Sequence, residues 1–399
     1  HKEYRRQRQM CIRDSYKANN KFFNDKIEAI LEANKNLSDI EWNFHQEIYN
    51  AANWLIEPEL SLDQLYKMRA QQIREQYDYV IILCSGGGDS TNVVYSFLRN
   101  GIKVDEIIAS APVSGLNQFK IQNKDNSADN TMSETYLAQL PLMNEISQEF
   151  PDVKITINDY FENMLEFKTD EWLFRSGEWI HPSSGSRYNL EKITHIRTLA
   201  EAGKKIGIVY GIDKPMLIFD TDNNVRLNIA DRTVNVQRPA FKDNFPNVQN
   251  VLFYFSPELP LLQIKQAHVL AKWLFKPGNE NALNHVLDYR NLPKNYYENR
   301  KRNSVYERAI IPCIYPSTAR KVFQGHKPTR MFLGEHDAWF YKLHGNSKMY
   351  QMIDSDFRNF YNAIDKKYLM DNGVGFKPYS QSYVIGKISD FRPAVEIIQ

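Results

Sequence analysis

Residues 77–101 read YDYVIILCSGGGDSTNVVYSFLRNG, and the fold turns on how this stretch is parsed. Residues 77–84 form a short apolar run rich in Val, Ile and Tyr, the composition of a parallel strand buried on both faces. The run ends in Ser85, Gly86, Gly87, Gly88, Asp89, Ser90 and Thr91, and a helical pattern follows at once until Gly101 stops it. Three consecutive glycines weaken a strand and a helix alike, so their place at the junction needs another reason. A helix N-terminus presents unpaired N–H groups and a partial positive charge. Glycines let such groups turn toward an anion and let the anion approach closely. Ser85, Ser90 and Thr91 add hydroxyl donors. Asp89 is out of place beside a bare phosphate, and reads either as a helix cap or as a ligand for Mg²⁺ lying between it and the phosphates. The stretch points to a nucleotide polyphosphate site with a metal.

Working outward, strand and helix patterns alternate. Residues 104–113 read as a second strand, and 133–150 as a helix that Pro141 is expected to kink or split. A third strand follows at 152–160, a helix at 189–205 and a further strand at 206–213. Strands separated by helices of this length predict βαβ units and an α/β fold with a doubly wound parallel sheet. After about residue 215 the pattern changes. Residues 216–229 read as a hairpin with Asp222, Asn223 and Asn224 at the turn. Residues 256–275 read as an amphipathic helix, with Ser256 as cap and Pro257 in the first turn. Upstream, 16–76 read as a helical lead-in, including one amphipathic helix over 39–56 and another beginning at the cap Ser61. Beyond 276 the chain predicts a mostly helical C-terminal region with long loops. The domain organisation expected is therefore a tail (1–15), a helical lead-in (16–76), a nucleotide-binding domain (77–275) and a C-terminal region (276–399).

Composition narrows the function classes. Charged residues make up 25% and hydrophobic residues 42% of the 399, an ordinary water-soluble balance. No apolar run reaches the length of a membrane span and no signal-peptide pattern is visible. Three cysteines, Cys11, Cys84 and Cys313, form no CxxC pair. That argues against a disulfide scaffold and a structural zinc site, and for a reducing, cytoplasmic location. The first fifteen residues carry five cations against two carboxylates, a local +3, which leaves the rest of the chain at −1 of the total +2. This segment reads as an artefact or disordered tail rather than a nucleic-acid arm, so the overall charge carries no functional weight.

The glycine loop is neither a Walker GxxxxGK[ST] loop, since no Lys follows the glycines, nor GxGxxG. Residues 85–90, SGGGDS, resemble the SGGxDS signature of the PP-loop ATP pyrophosphatase superfamily, with Gly88 at the variable position. The resemblance covers roughly 77–275 and implies a Rossmann-like fold of the HUP type. It implies binding of ATP and Mg²⁺, cleavage between the α and β phosphates, and an adenylated intermediate. Superfamily members include asparagine, GMP and NAD synthetases and tRNA-modifying ligases. The resemblance implies that Ser85, Gly86, Gly87, Gly88, Ser90 and Thr91 hold the nucleotide. It also implies that Ala109 to Ala111, closing the second strand, contact adenine. In residues 206–216, Gly211, Asp213 and Lys214 end a strand that the resemblance places facing the phosphates, with Asp213 joining Asp89 as metal ligand and Lys214 joining Asp89 in catalysis. The bland alternative is a turn with an exposed Asp-Lys pair. Lys265, near His268 on one helix face, is a further candidate for ligand contact.

Weaker candidates are Arg187, His195 and Arg197, for which surface solvation or a structural ion pair is the favoured reading. Glu335, His336, Asp337 and His344 fit no metal spacing and read as solvated loop charges. A two-cysteine sulfur-transfer mechanism has too few cysteines, and the four-cysteine zinc site of nitrile synthases is absent. By elimination, the expected enzyme is an AMP-forming ligase that adenylates a substrate for ligation or amidation. The alternatives are a tRNA- or DNA-modifying enzyme using the same adenylation, with residues 293–309 contacting nucleic acid, and an accessory protein that binds nucleotide without turnover. The acceptor substrate is not encoded in any motif.

Overall fold

The computed structural model describes residues 14–23, 26–38, 40–111, 113–114, 138–159, 190, 193–212, 214–230, 245–287, 306, 308–315, 369–370, 376–377 and 379–392. The lead-in combines helices with a sheet that was not anticipated. Strands β1 (Asp14–Ala18), β2 (Lys21–Phe23) and, after helix α1 (Lys26–Asn36), β3 (Ile40–Phe44) form an antiparallel sheet of order β2-β1-β3. The stretch 39–56, expected to be one helix, splits into β3 and a short α2 (Gln46–Ala51). Ile40, Trp42 and Phe44 are buried while Glu41 is exposed, a period of two rather than 3.6. His45, in the left-handed region at φ 43°, turns the chain between the two elements. Asp14 and Ser15 pair with Phe44 and Asn43, so β1 begins inside the segment expected to be a tail. Helix α3 (Leu62–Gln76) starts as expected: Ser61 Oγ accepts from the Gln64 N–H at 3.2 Å and the Gln64 side chain accepts from the Ser61 N–H at 2.9 Å.

From residue 77 the alternation holds. Strands β4 (Tyr79–Leu83), β5 (Glu106–Ala111), β6 (Lys154–Asp159) and β7 (Ile206–Tyr210) are connected through α4 (Gly88–Leu98), α5 (Leu140–Glu149) and α6 (Thr194–Glu201). Pro141 sits in the first turn of α5, where its missing N–H costs nothing, and so begins the helix instead of kinking it. Then β8 (Met216–Phe219) and β9 (Asn224–Ala230) form the expected hairpin, with Asn223 at φ 59° in its turn. A strand not anticipated, β10 (Val248–Leu252), joins the main sheet beside β7.

That sheet has five strands, all parallel, in the order β10-β7-β4-β5-β6. Both faces are covered. Val80, Ile82, Ile107, Val209 and Val251 share one core with α3, α4, α5 and α7 (Pro260–Leu274). Ile81, Ile108, Ile206 and Ile208 pack on the other side against Ile196 and Ala200 of α6. Each fully buried side chain of this kind contributes about 1.5–3 kcal/mol, which is why near-continuous Val/Ile runs settle in the middle of such a sheet. The chain runs outward from β4 through β5 to β6, then returns to the other side of β4 to lay down β7 and β10. The strand order thus reverses between β4 and β7, the place at the carboxyl edge of such a sheet where a ligand crevice is expected.

One other expectation is corrected here. Helix α7 starts at Pro260, not at the cap Ser256; residues 256–259 form a turn in which Ser256 Oγ donates to Glu258. Among the described residues the C-terminal part combines helix, including 308–314, with strands that were not anticipated. After α8 (Glu280–Leu287) and the short strands β11 (Leu369–Met370) and β12 (Phe376–Lys377) comes the nine-residue β13 (Tyr379–Lys387), followed by α9 (Ile388–Phe391). Strand β13 pairs antiparallel with β9, and its Tyr383 stacks on Trp54 with ring centroids 4.4 Å apart, joining the two ends of the chain. Among the described residues no helix is long and apolar enough to cross a membrane.

A charged clasp ties α3 to the sheet. Asp105 accepts from the Val80 N–H at 2.8 Å and pairs with Arg74 at 2.5 Å and Lys103 at 2.8 Å. Burial pushes its carboxyl up, but hydrogen bonds from Lys103, Val80 and Arg74 outweigh that and leave it below 3.8. A depressed folded-state pKa stabilises the fold above the unfolded value and stops doing so as pH falls through the folded value. Asp105→Asn is expected to cost about 1–3 kcal/mol at pH 7. In urea titrations the gap from wild type should close as pH drops below 3.8; a gap that stays constant into acid would refute it.

Candidate functional site

The loop between β4 and α4 sits at the carboxyl edge, at the reversal point. Cys84 is buried, its N–H bonded to the Ile108 carbonyl at 2.9 Å, so the backbone leaves the sheet only after it. Gly86 takes φ 82°, and a Cβ there would lie 2.7 Å from the backbone N of Gln139. Conformation and space both demand glycine at this position. Gln139 also donates its side-chain amide to the Cys84 carbonyl at 2.8 Å, closing the loop from behind. Ser90 braces it from within: its hydroxyl donates to the Gly87 carbonyl and accepts from the Ser85 N–H, both at 3.2 Å. Helix α4 starts at Gly88 with Gly87 as N-cap and no side-chain cap hydrogen bond.

The seven loop residues divide by accessibility. Ser85 is exposed, and Gly87 and Asp89 are half-buried, whereas Gly86, Gly88, Ser90 and Thr91 are buried. Thr91 Oγ1 is buried with no hydrogen-bond partner among the described residues. Ser85, Gly87 and Asp89 therefore face the crevice, and the other four shape it. Gly211 completes the arrangement from the β7 side: a Cβ there would lie 2.9 Å from both N and Cα of Ser90. Only glycine lets the end of β7 abut the first turn of α4. Gly211→Ala is expected to cost about 1–3 kcal/mol and displace that turn, read as a lowered melting temperature together with altered amide shifts at Asp89 and Ser90.

The close approach brings Lys214 to Asp89. Its Nζ lies 2.5 Å from Asp89 Oδ2, and the two side chains are only 12% and 19% exposed. Two tyrosines complete the setting of Asp89. Tyr315 donates to Asp89 Oδ1 at 2.5 Å, and Tyr254 donates to the Asp89 main-chain carbonyl at 2.7 Å. Tyr254 itself accepts from Asn92 Nδ2 at 3.0 Å. Burial, with the Asp89 carboxylate close by, holds the Tyr315 hydroxyl well above the ordinary tyrosine value, and burial does the same for Tyr254. Both are donors at neutral pH. Sequence reasoning missed Tyr315, Tyr254, Asn92 and Gln139. A tyrosine 226 residues from its partner carries no local pattern that would single it out.

Other expectations fall elsewhere. Lys265 binds Glu57 Oε1 at 2.7 Å and the Pro58 carbonyl at 2.9 Å, and His268 bonds the Trp54 carbonyl at 2.8 Å. Both thus anchor the loop before α3, and among the described residues the hydrogen-bond partners of Lys265 are Glu57 and Pro58, away from the glycine loop. Ala109 lies inside β5, registered opposite Ile157, with its methyl in the core; Ser110 and Ala111 are nearer the edge. His195 pairs at 2.7 Å with Glu106, a fully buried carboxylate at the opposite, amino end of β5 that also accepts from Tyr79 at 3.0 Å. His195 is a structural partner there. Arg197 forms an i,i+4 pair with Glu201. Asp213, Arg187, Glu335, His336, Asp337 and His344 lie outside the described residues.

Burial pushes the Cys313 thiol up to about 12, so it carries almost no thiolate at neutral pH, and Cys84 is buried. Neither thiol is set up for sulfur transfer. Among the described residues no group of three His, Cys, Asp or Glu is placed to hold a metal. Asp89 is the described carboxylate at the crevice, which suits Mg²⁺, a cation usually held by one or two carboxylates with phosphates and water completing its shell. No protein-family model matches the chain, and no curated protein matches it in sequence.

Proposed function

We propose that this chain is an AMP-forming, PP-loop enzyme of the HUP type that binds ATP with Mg²⁺ at the β4/β7 crevice and adenylates a substrate for ligation or amidation. One observation carries the reading: Lys214, leaving β7, meets Asp89, opening α4, across the point where strand order reverses. A cation and a carboxylate beside a glycine-lined helix N-terminus are what a metal-bound polyphosphate needs.

In this reading the β and γ phosphates lie against the Gly87, Gly88 and Asp89 N–H groups and the Ser85 hydroxyl. An oxygen of the acceptor attacks the α-phosphorus, the bond from that phosphorus to the bridging oxygen breaks, and pyrophosphate leaves. Lys214 and the loop N–H groups stabilise the charge that grows on the departing pyrophosphate. The ammonium carries three donors, so it can keep Asp89 while reaching a phosphate oxygen. Asp89 would hold Mg²⁺, which supplies further charge neutralisation on the phosphates. A nucleophile then displaces AMP from the adenylated acceptor.

The test is calorimetry with Mg-ATP followed by product analysis by phosphorus NMR across a panel of carboxylate and amine acceptors. The reading expects AMP with pyrophosphate. ADP with phosphate, or no nucleotide binding, overturns it; binding without AMP release across the panel favours a nucleotide-binding accessory protein instead.

A further inference from the structure

Three tyrosines from distant parts of the chain meet behind Asp89. Tyr66 comes from α3, Tyr254 follows β10, and Tyr315 follows the helical residues 308–314. Their rings pack together, with centroids 5.4 Å apart for Tyr254–Tyr315 and 6.0 Å for Tyr66–Tyr254. All three are essentially buried. Each hydroxyl has a defined acceptor. Tyr66 donates to the Ile314 carbonyl at 2.5 Å and accepts from Gln266 of α7 at 2.9 Å, which pins the backbone immediately before Tyr315. Tyr315 N bonds the Ile311 carbonyl at 2.8 Å. The Tyr315 ring is thus held on both sides, and its hydroxyl is delivered to Asp89 Oδ1 from a fixed position.

We propose that Tyr315 is a positioning residue for Asp89, holding the carboxylate so that it presents Oδ2 to Lys214 and keeps its remaining acceptor capacity toward a cation in the crevice. The inference rests on the nucleotide reading above and adds to it a residue from the C-terminal region. Its physical basis is competition. A carboxylate beside an ammonium can turn to present either oxygen, and a second donor on one oxygen fixes which of them faces the ammonium. The Tyr315 hydroxyl is such a donor, and a carboxylate oxygen that accepts one hydrogen bond still has lone-pair capacity for a cation. Without it, Asp89 turns toward Lys214 and its charge is withdrawn from the cation, while the ammonium keeps donors for the phosphates. Tyr254, on the main-chain carbonyl, fixes the helix start, but it cannot set the side-chain rotamer. The C-terminal region is thereby made part of the nucleotide site without touching nucleotide.

Tyr315→Phe removes the hydroxyl and keeps the ring packing. ATP affinity is measured by calorimetry at a series of Mg²⁺ concentrations and in EDTA. The expected result is a Mg²⁺ requirement for ATP binding raised about tenfold, with affinity in EDTA within twofold of wild type. A purely structural defect lowers both affinities together, and that outcome overturns the proposal, as does an unchanged Mg²⁺ requirement. The double variant Y315F/D89N is expected to show the same Mg²⁺ dependence as D89N alone; an additive loss places Tyr315 outside the Asp89 route and also overturns it. Failure of the nucleotide reading is a different result, seen as wild-type protein that binds no Mg-ATP.

Discussion

Asp89→Asn is expected to lower AMP and pyrophosphate release from ATP by about 10³-fold or more, the range seen when a group that stabilises developing charge is removed. The substitution is isosteric but removes a charge at a convergence point. Asp89 meets Lys214 through one oxygen, Tyr315 through the other and Tyr254 through its backbone. An amide there cannot satisfy both side-chain neighbours with its oxygen alone. If its NH₂ faces Lys214 it sets donor against donor, and if it faces Tyr315 that hydroxyl must turn from donor to acceptor. The cation loses the carboxylate nearest the glycine loop in either orientation. Product analysis at saturating Mg-ATP reads the effect, and melting curves on the same sample separate it from unfolding. A variant retaining more than about a tenth of wild-type turnover sinks the assignment, because a loss that small is about 1.4 kcal/mol and within reach of indirect packing effects.

Lys214→Met is the second large effect, expected at about 10²–10³-fold in turnover. Methionine preserves the length and the apolar stem of a side chain that is only 12% exposed, and removes the ammonium. The loss should fall mainly on kcat, since pyrophosphate bears more charge at the bond being broken in the transition state than ATP does in the ground state. Lys214→Arg is expected to restore little. A planar fork does not substitute for a compact ammonium in a gap set by contact between Gly211 and Ser90. A loss confined to KM, with kcat unchanged, would show that Lys214 only binds nucleotide. Retained turnover in the methionine variant would remove it from the chemistry altogether.

The parallel sheet was legible because its signal is local. The strands β4, β5 and β7 are buried on both faces, so they appear as apolar runs wherever they occur, and the glycine junction marks where the first of them ends. The hairpin β8–β9 was legible for the same reason, through its Asp-Asn-Asn turn. Strand β10 was missed because Asn247, Gln249 and Asn250 break up its apolar residues. The described elements before it are the strands β8 and β9, which do not continue the strand–helix alternation. The N-terminal sheet was misread because Trp42, Phe44, Tyr49 and Trp54 satisfy a helical spacing on paper, while the buried positions 40, 42 and 44 follow a strand. Aromatic residues pack well in either setting, and pairing with β1 decided between them.

The site shows the same division. Glycines at 86–88, Asp89 and the Gly211…Lys214 segment are conspicuous by type and by their place at strand ends, so chemistry could be read at each of them from the chain alone. Which charges meet is a different kind of information. Lys265 and Lys214 look equally available as cations in sequence, yet one grips Glu57 and the other grips Asp89. His195 reads as a solvated or structural charge, and only the structure names its partner, buried Glu106. Tyr315 looks like nothing at all.

The sequence by itself determined the sheet class and the place of the glycine loop at a strand–helix junction, because those follow from backbone freedom and burial over a few neighbouring residues. Only the tertiary structure decided the strand order that puts β7 beside β4, the pairing of Lys214 with Asp89, and the arrival of Tyr315 from the far end of the chain. Those depend on which distant segments pack side by side, and close packing selects partners by shape across hundreds of residues, where no local pattern reaches.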